Sequence, residues 1–332
     1  MADLLDNNIS ATFRIRDVSN LFALARAEEN PFSSMAALGP APKSSLYEFP
    51  FKKRHTPSDN AIADGVDVQD VEVINNEANK AMIQARVQKG RVVVGVSDLA
   101  EELGNEYAVN GTLLADNVAD GLVLARENLE VTMLKAGDSF AYVDAANPHK
   151  LRGMASWIRS ANPATPDLPI PTMALTPPGN IITGKAAATD ITEDEVRSIM
   201  QSITSNCRRN GVWDMFCTPA FKSVISGWAR TGVQSATALP LRRFNADQKD
   251  KTMTLDIQIY ESDFGKLRLH THFSLPAGVH ALIVDMPGVK RRNKRNPMLT
   301  PLDYRGGGHR RMIEYIVGLE VSNPQSHGKI TT

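Results

Sequence analysis

The sequence predicts an α+β fold, and three stretches predict it. Residues 105–135 (NEYAVNGTLLADNVADGLVLARENLEVTMLK) read as one long helix with no proline inside it. Residues 43–96 read as a long two-legged excursion of strand-like character. Residues 189–285 alternate helical and strand periodicities in the manner of a compact α/β unit.

Taken in order, residues 1–42 have the composition of an arm. Residues 17–29 (DVSNLFALARAEE) form a short amphipathic pattern that Asn30-Pro31 interrupts. The following PFSSMAALGPAP carries too many breakers for a core element. In the first leg of the excursion, Tyr47, Phe49 and Phe51 alternate onto one face, and Pro50 confines that strand to an edge or an exposed position. The tip, HTPSDNAIADGVD, is turn chemistry. The return leg runs through 71–73 and 81–96. Its legs hold little apolar material between them, so the hairpin is expected to rest on a second surface, most naturally another copy of the chain.

Ser97 caps a short helix over SDLAEEL, with Asp98 and Glu101 in its first turn. In the long helix, Leu114, Val118, Leu122, Ala125, Leu129 and Met133 share a stripe about 100° wide, with Asp116, Asp120, Glu127 and Glu130 largely opposite. Val123, Leu124, Val131 and Leu134 fall outside that stripe, which predicts protein on more than one side of the helix. At about 1.5 Å per residue it would span roughly 45 Å and end before Gly137-Asp138. A proline-rich, irregular crossing separates LRGMASWIRS from the α/β unit. There, Thr192 and Glu195 frame a capping box, Gly211 closes that helix, residues 212–217 form a strand, and Pro219 starts a second helix. Residues 253–260 and 266–273 alternate strictly around ESDFG, which makes a hairpin. ALIVD at 281–285 reads as a buried strand, and 311–321 as a long last one.

Composition narrows the class. The 332 residues are 42% hydrophobic, a globular proportion, and 37 basic residues balance 37 acidic ones. A neutral chain has no global pull toward nucleic acid or anionic membrane. Neither a secretory signal nor an apolar run long enough to span a bilayer is present. Cys207 and Cys217 fit no metal spacing and are expected to be reduced thiols.

Several short segments together resemble one family. They are NPFSSMAALGPAPKSSLYEFP, LARENLEVTMLKAG, LRGMASWIRS, CTPAFKSVISGWA, IQIYESDFGKLRLHTHFSLPAGVHALIVD and GLEVSNPQSHGKI. In that order the chain resembles the major capsid protein of tailed bacteriophages with the Hong Kong-type fold, over residues 30–330. Residues 138–150 look inserted, and the basic run near 291 is heavier than the family pattern. The resemblance implies an N-terminal arm (1–42), an extended loop (43–96) lying across a neighbouring subunit, and a first part of the peripheral (P) domain (97–188) with a spine helix at about 105–136. It further implies an axial (A) domain (189–285) and returning P-domain strands with the C-terminus (286–332). The implied function is self-assembly of hexamers and pentamers into an icosahedral head around packaged double-stranded DNA. Implied partners are other copies of the chain, a portal, decoration or minor capsid proteins, and DNA bound non-specifically. The implied setting is the virion, assembled in host cytoplasm, without membrane, cofactor or catalysis. An encapsulin-like compartment of the same fold is the alternative.

No catalytic constellation emerges from the residues. His270 and His272 share a strand face near Asp256, a weak metal signal that ordinary strand surface explains better. Gly306-Gly307-Gly308 does not join a strand to a helix as a phosphate loop would, and no GxSxG occurs. Asp59, Asp64, Asp67 and Asp70 cluster at the tip, which reads as a solvated or partner-facing acidic surface before it reads as a calcium site. The run Lys290, Arg291, Arg292, Lys294, Arg295 reads as a subunit contact with acidic partners, a solvated loop, or a DNA contact. The residues expected at inter-subunit contacts are Tyr47, Phe49, Phe51, Arg54, Asp64, Asp67, Arg291, Arg292 and Arg295. A soluble α/β enzyme built on 189–285 is the reading from another class, and the want of convergent polar groups weighs against it.

Overall fold

The computed structural model describes residues 30–55, 57, 59, 61–62, 64–67, 79–104, 112–231, 258–304 and 306–332. The expected helix at 17–29, the return-leg segment 71–73, residues 105–111 of the stretch expected to be one long helix, and Asp70 and Asp256 lie outside these residues.

Two sheets organise the described chain. The first has five strands in the order β1-β9-β10-β3-β2, with β1 at Ala37–Leu38, β2 at Leu46–Lys52, β3 at Lys80–Ser97, β9 at Val289–Leu302 and β10 at Gly308–Val321. The 18 residues of β3 span roughly 60 Å at about 3.3 Å each. Its first part pairs with β2, and its remainder, from Val87, pairs antiparallel with β10. Where β3 meets β10, Tyr315 stands opposite Gly90, and a Cβ on Gly90 would sit 2.3 Å from the Tyr315 ring. The glycine makes room for an aromatic across the strands.

Short helices precede and follow this sheet's first strands. Helix α1 covers Pro31–Met35 and α2 covers Asp98–Gly104. The α1 segment overturns the expectation that PFSSM stays out of the core, for Phe32 is fully buried. Pro31 is harmless there because the first helical turn has no internal acceptor for its missing N–H.

The long helix α3 runs over Leu113–Leu134 and packs on β3 and β10. It starts at Thr112, whose side chain accepts from the Ala115 N–H at 3.1 Å. Its C-terminal cap is Lys135, two residues ahead of Gly137. The apolar stripe holds: Leu114, Leu122, Ala125, Leu129 and Met133 are buried. Glu130, expected opposite, is buried as well.

The second sheet has the order β4-β11-β8-β5-β7-β6, with β4 at Ile181–Ile182, β5 at Gly211–Cys217, β6 at Ile259–Ser262, β7 at Gly265–Thr271, β8 at Val279–Val284 and β11 at Gly328–Thr331. Short helix α4 (Met154–Trp157) lies ahead of it, and α5 (Glu193–Cys207) and α6 (Pro219–Thr231) belong to its unit. Thr192 and Glu195 form the expected capping box on α5. That helix closes at Arg208 in the left-handed region (φ 50°), and Gly211 opens β5. The last strand, β11, returns to this sheet beside β8, so the chain's end does not stay with β10.

Two apolar clusters follow the sheets. One joins α1, β2, α3, α4 and β10 through Phe32, Phe49, Met133, Trp157 and Ile313. The other lies between α5, α6 and the second sheet around Ile199, Trp213 and Phe221. Phe216 belongs to the first cluster and meets Phe32 edge-on at 5.4 Å, which ties the two sheets together.

Candidate functional site: the outer surface and its charged seams

Placing the predicted contact residues corrects several of them. Tyr47, Phe49 and Phe51 are buried in their own chain, with Phe49 packed 6.1 Å from Trp157. The hairpin base therefore finds its second surface within the protomer, and these three aromatics are core residues. Burial pushes the Tyr47 phenol pKa up, and the Arg292 guanidinium stacks over its ring at 5.0 Å.

The basic run is strand β9, not a loop. Its arginines meet acids of the neighbouring strand β10. Arg295 Nη1 lies 2.5 Å from Glu314, which also takes Lys89 at 2.7 Å, and Arg292 pairs with Glu320. Both glutamates are buried, so these pairs stitch β9 to β10 to β3. Arg291 turns inward and donates to the Ser33 carbonyl over a long 3.4 Å. Pro297 and Pro301 are tolerated because β1 borders β9 only at Lys290 and Arg291, leaving the rest of that edge without a ladder to interrupt.

Arg54, Asp64 and Asp67 are exposed. Gly65 has φ +83°, the left-handed turn that lets the tip reverse. Arg54 lines a cleft of about 490 Å³ together with Lys52, Lys53, His55, Arg208 and Arg209. Asp285 is the only carboxylate among its described lining residues, and it is paired with Arg209. The sequence hid this basic surface because its halves lie some 150 positions apart on the hairpin and after α5.

Apolar surface is also open. Leu124 and Val131 on α3 are each 47% exposed. They are two of the four residues that fall outside the core stripe, and among the described residues about half of each stays open. Val93 and Met82 on β3 and Ile62 and Val66 at the tip are exposed too.

The polar groups in the second sheet are structural. Asp214 is buried between Arg268 (2.7 Å) and His270 (2.9 Å). Cys217 lies beside them, but burial pushes its thiol up to about 12, which leaves no thiolate for nucleophilic work near neutrality. His270 and His272 bind separate carboxylates, Asp214 and Glu130, and so do not converge on a shared metal. Among the described residues no group of three or more His, Cys, Asp or Glu could hold a metal ion, and no helix is long and apolar enough to cross a membrane.

No curated protein matches the chain by sequence. Solved structures match it by shape. One from Mycobacterium phage Bobi is 12% identical with a TM-score of 0.54, covering 98% of this chain and 97% of its own. The capsid structure of cyanophage P-SCSP1u is 13% identical with a TM-score of 0.55, over 90% and 87% of the two chains. The SrpI encapsulin of Synechococcus elongatus is 11% identical with a TM-score of 0.52, over 93% and 89%. The fold is thus that of phage capsids and encapsulins, the expected Hong Kong type. Family assignment separates the two, because the model of the SU10 major capsid protein matches residues 5–332. An extended hairpin, a long helix with two half-exposed apolar residues, and a phage-capsid fold accompany that match over nearly the whole sequence: the chain belongs to the SU10 major capsid protein family.

Proposed function

We propose that this major capsid protein builds hexameric and pentameric capsomers that close into an icosahedral head around packaged double-stranded DNA. The observation that carries the proposal is the pair Leu124 and Val131, each half exposed among the described residues on a helix whose other face is core. A symmetric shell would cover these side chains at every copy. In this reading the five-stranded sheet with α3 is the P domain and the α5–α6 unit is the A domain. The tip of the β2–β3 hairpin reaches a neighbouring copy, where Asp64 and Asp67 meet cations of the cleft around Arg54. A portal, decoration or minor capsid proteins and the packaged DNA are the further partners, and assembly takes place in the host cytoplasm. The role is structural and uses no catalysis.

Negative-stain electron microscopy of the protein expressed alone tests the reading. Closed shells, or rings of six and five subunits, are the expected result. A monodisperse monomer across all salt and protein concentrations would overturn it. Asp64→Lys should lower the yield of shells, and an unchanged yield would remove the tip from the contact.

A further inference from the structure

Helix α2 leaves the far end of β3 with apolar side chains turned to solvent. Leu99 and Leu103 are four residues apart and share one side of the helix, where they are 67% and 73% exposed. Asp98, Glu101 and Glu102 make the same helix acidic, and it carries no basic residue. At about 100° per residue, Glu102 falls roughly 60° from Leu99, so a carboxylate flanks the leucines. The start of the helix is fixed in place. The Ala100 N–H donates to Ser97 Oγ at 3.3 Å, the Asp98 N–H donates to the Gly307 carbonyl at 2.9 Å, and the Tyr304 hydroxyl donates to the Asp98 carboxylate.

The first sheet has a bare face at the same end. Helix α3 covers one side there, where a Cβ on Gly121 would sit 2.7 Å from Val94 and 3.2 Å from Ile313. Side chains alternate along a strand, and residues directly opposite on paired strands share a side. Val93, opposite Met312, and Gly95, opposite Arg310, therefore turn away from α3. Leu302 opposite Arg310 and Met298 opposite Glu314 extend that side onto β9. Val93 is 50% exposed, and Arg91 and Arg310 are exposed as well. The Val93–Met312 row lies between the rows that hold Arg91 and Arg310. Glu314 is buried and taken up by Arg295 and Lys89, so it does not offset these two arginines.

One chain thus presents two open surfaces of opposite character: leucines flanked by carboxylates, and a Val–Met row flanked by arginines. They do not meet within the protomer, where both stay exposed. A phosphate polymer would engage the arginines alone, leave the leucines in water and be repelled by α2.

We propose that α2 of one copy docks on this bare face of the first sheet of a second copy, with Leu99 and Leu103 against Val93 and Met312 and Glu102 between Arg91 and Arg310. The inference rests on the shell reading above and names one of its contacts. Apolar burial drives the association, and the opposed charges fix its orientation.

The test is negative-stain electron microscopy of the full-length protein carrying Leu99→Asp with Leu103→Asp, expressed alone beside wild type. Both leucines are exposed, so unassembled subunits of the variant should melt at the wild-type temperature. The yield of closed shells should fall about tenfold or more, because the contact is lost at every copy. Arg310→Glu and Glu102→Lys should each lower the yield, and the two combined in one chain should restore part of it, since opposite charges face each other again. Wild-type shells together with an undiminished yield from the Leu99→Asp, Leu103→Asp protein would overturn this contact and leave shell assembly standing. A combined charge variant that recovers none of the yield would likewise overturn the pairing. Absence of shells and capsomers from the wild-type protein would overturn both readings.

Discussion

The imidazole Nε2 of His272 lies 2.8 Å from the carboxylate of Glu130, and both side chains are sealed from solvent. The Ser274 N–H donates to His272 Nδ1 at 3.0 Å, which assigns the Nε2 proton to Glu130. On its other side the same carboxylate accepts from Phe32 N (2.9 Å) and Ser33 N (2.7 Å). These are second and third helical positions of α1, so an acid from the long helix caps a helix far away in sequence. One carboxylate thereby joins α1, α3 and the end of β7. Glu130→Gln offers one acceptor where the site needs two and turns an amide NH₂ toward a backbone N–H. Its expected cost is about 2–3 kcal/mol, in line with leaving a buried backbone N–H without an acceptor and losing hydrogen bonds to a charged group. Denaturant unfolding checks this, and a loss under 1 kcal/mol would deny the junction its weight.

A second buried charge cluster predicts a similar sensitivity. Asp138 accepts from Arg152 Nε at 2.5 Å and from Arg159 Nη1 at 2.7 Å, and Arg152 stacks over Trp157 at 4.6 Å. Burial raises the Asp138 pKa, but the hydrogen bonds from Arg159 and Arg152 outweigh it and hold the carboxyl below its usual range. Asp138→Asn leaves two arginines facing each other in the core. The expected destabilisation is about 3 kcal/mol or more. Asp138→Ala with Arg152→Met should recover part of it, since the orphaned charge goes too. A double variant no more stable than Asp138→Asn would argue against charge as the cause.

Glycines with occupied Cβ positions give a steric prediction. A Cβ on Gly153 would lie 2.0 Å from the Lys135 carbonyl oxygen, a backbone atom at the end of α3. On Gly90 the obstacle is the Tyr315 ring at 2.3 Å. A ring can shift where a helix terminus cannot. Gly153→Ala should therefore cost on the order of 3 kcal/mol and Gly90→Ala less. Equal melting temperatures for the two variants would contradict that ranking.

Local pattern carried much of this fold, and distance limited the rest. The α3 stripe, the capping box on α5 and the alternation across β7 depend on neighbours within a few positions, so periodicity exposes them. The Glu130–His272 pair spans 142 positions, and nothing local marks either residue. The sequence directs Tyr47, Phe49 and Phe51 toward a neighbour because the hairpin's return leg offers them little. Their cover is Trp157 and the core beyond it, over a hundred positions later. The basic run reads from sequence as a subunit contact with acidic partners, a solvated loop or a DNA contact, whereas its acids, Glu314 and Glu320, come from the next strand of the same chain. Of the predicted contacts, Arg54, Asp64 and Asp67 keep the exposure such a role needs.

His327 supplies the pH dependence. It is wholly buried, and its Nδ1 accepts from the Asp285 N–H at 3.0 Å. Burial, reinforced by the Arg209 charge, presses its pKa down to about 3 from an ordinary 6.5. The folded state therefore keeps the ring neutral while the unfolded chain takes a proton once pH falls below about 6.5. Unfolded chains bind more protons than folded ones throughout that window, so stability falls as pH drops from about 6.5 toward 3. One such group contributes a slope near 1.4 kcal/mol per pH unit, or about 2–3 kcal/mol between pH 7 and 4.5. His327→Asn retains an oxygen acceptor for the Asp285 N–H and removes the titration. Its stability at pH 7 should be lower than wild type, and its acid-side loss should be shallower by that amount. Unfolding free energies measured on unassembled subunits at pH 7, 6, 5 and 4.5 decide the matter. Parallel curves for the two proteins would show that His327 is not the source of the acid sensitivity.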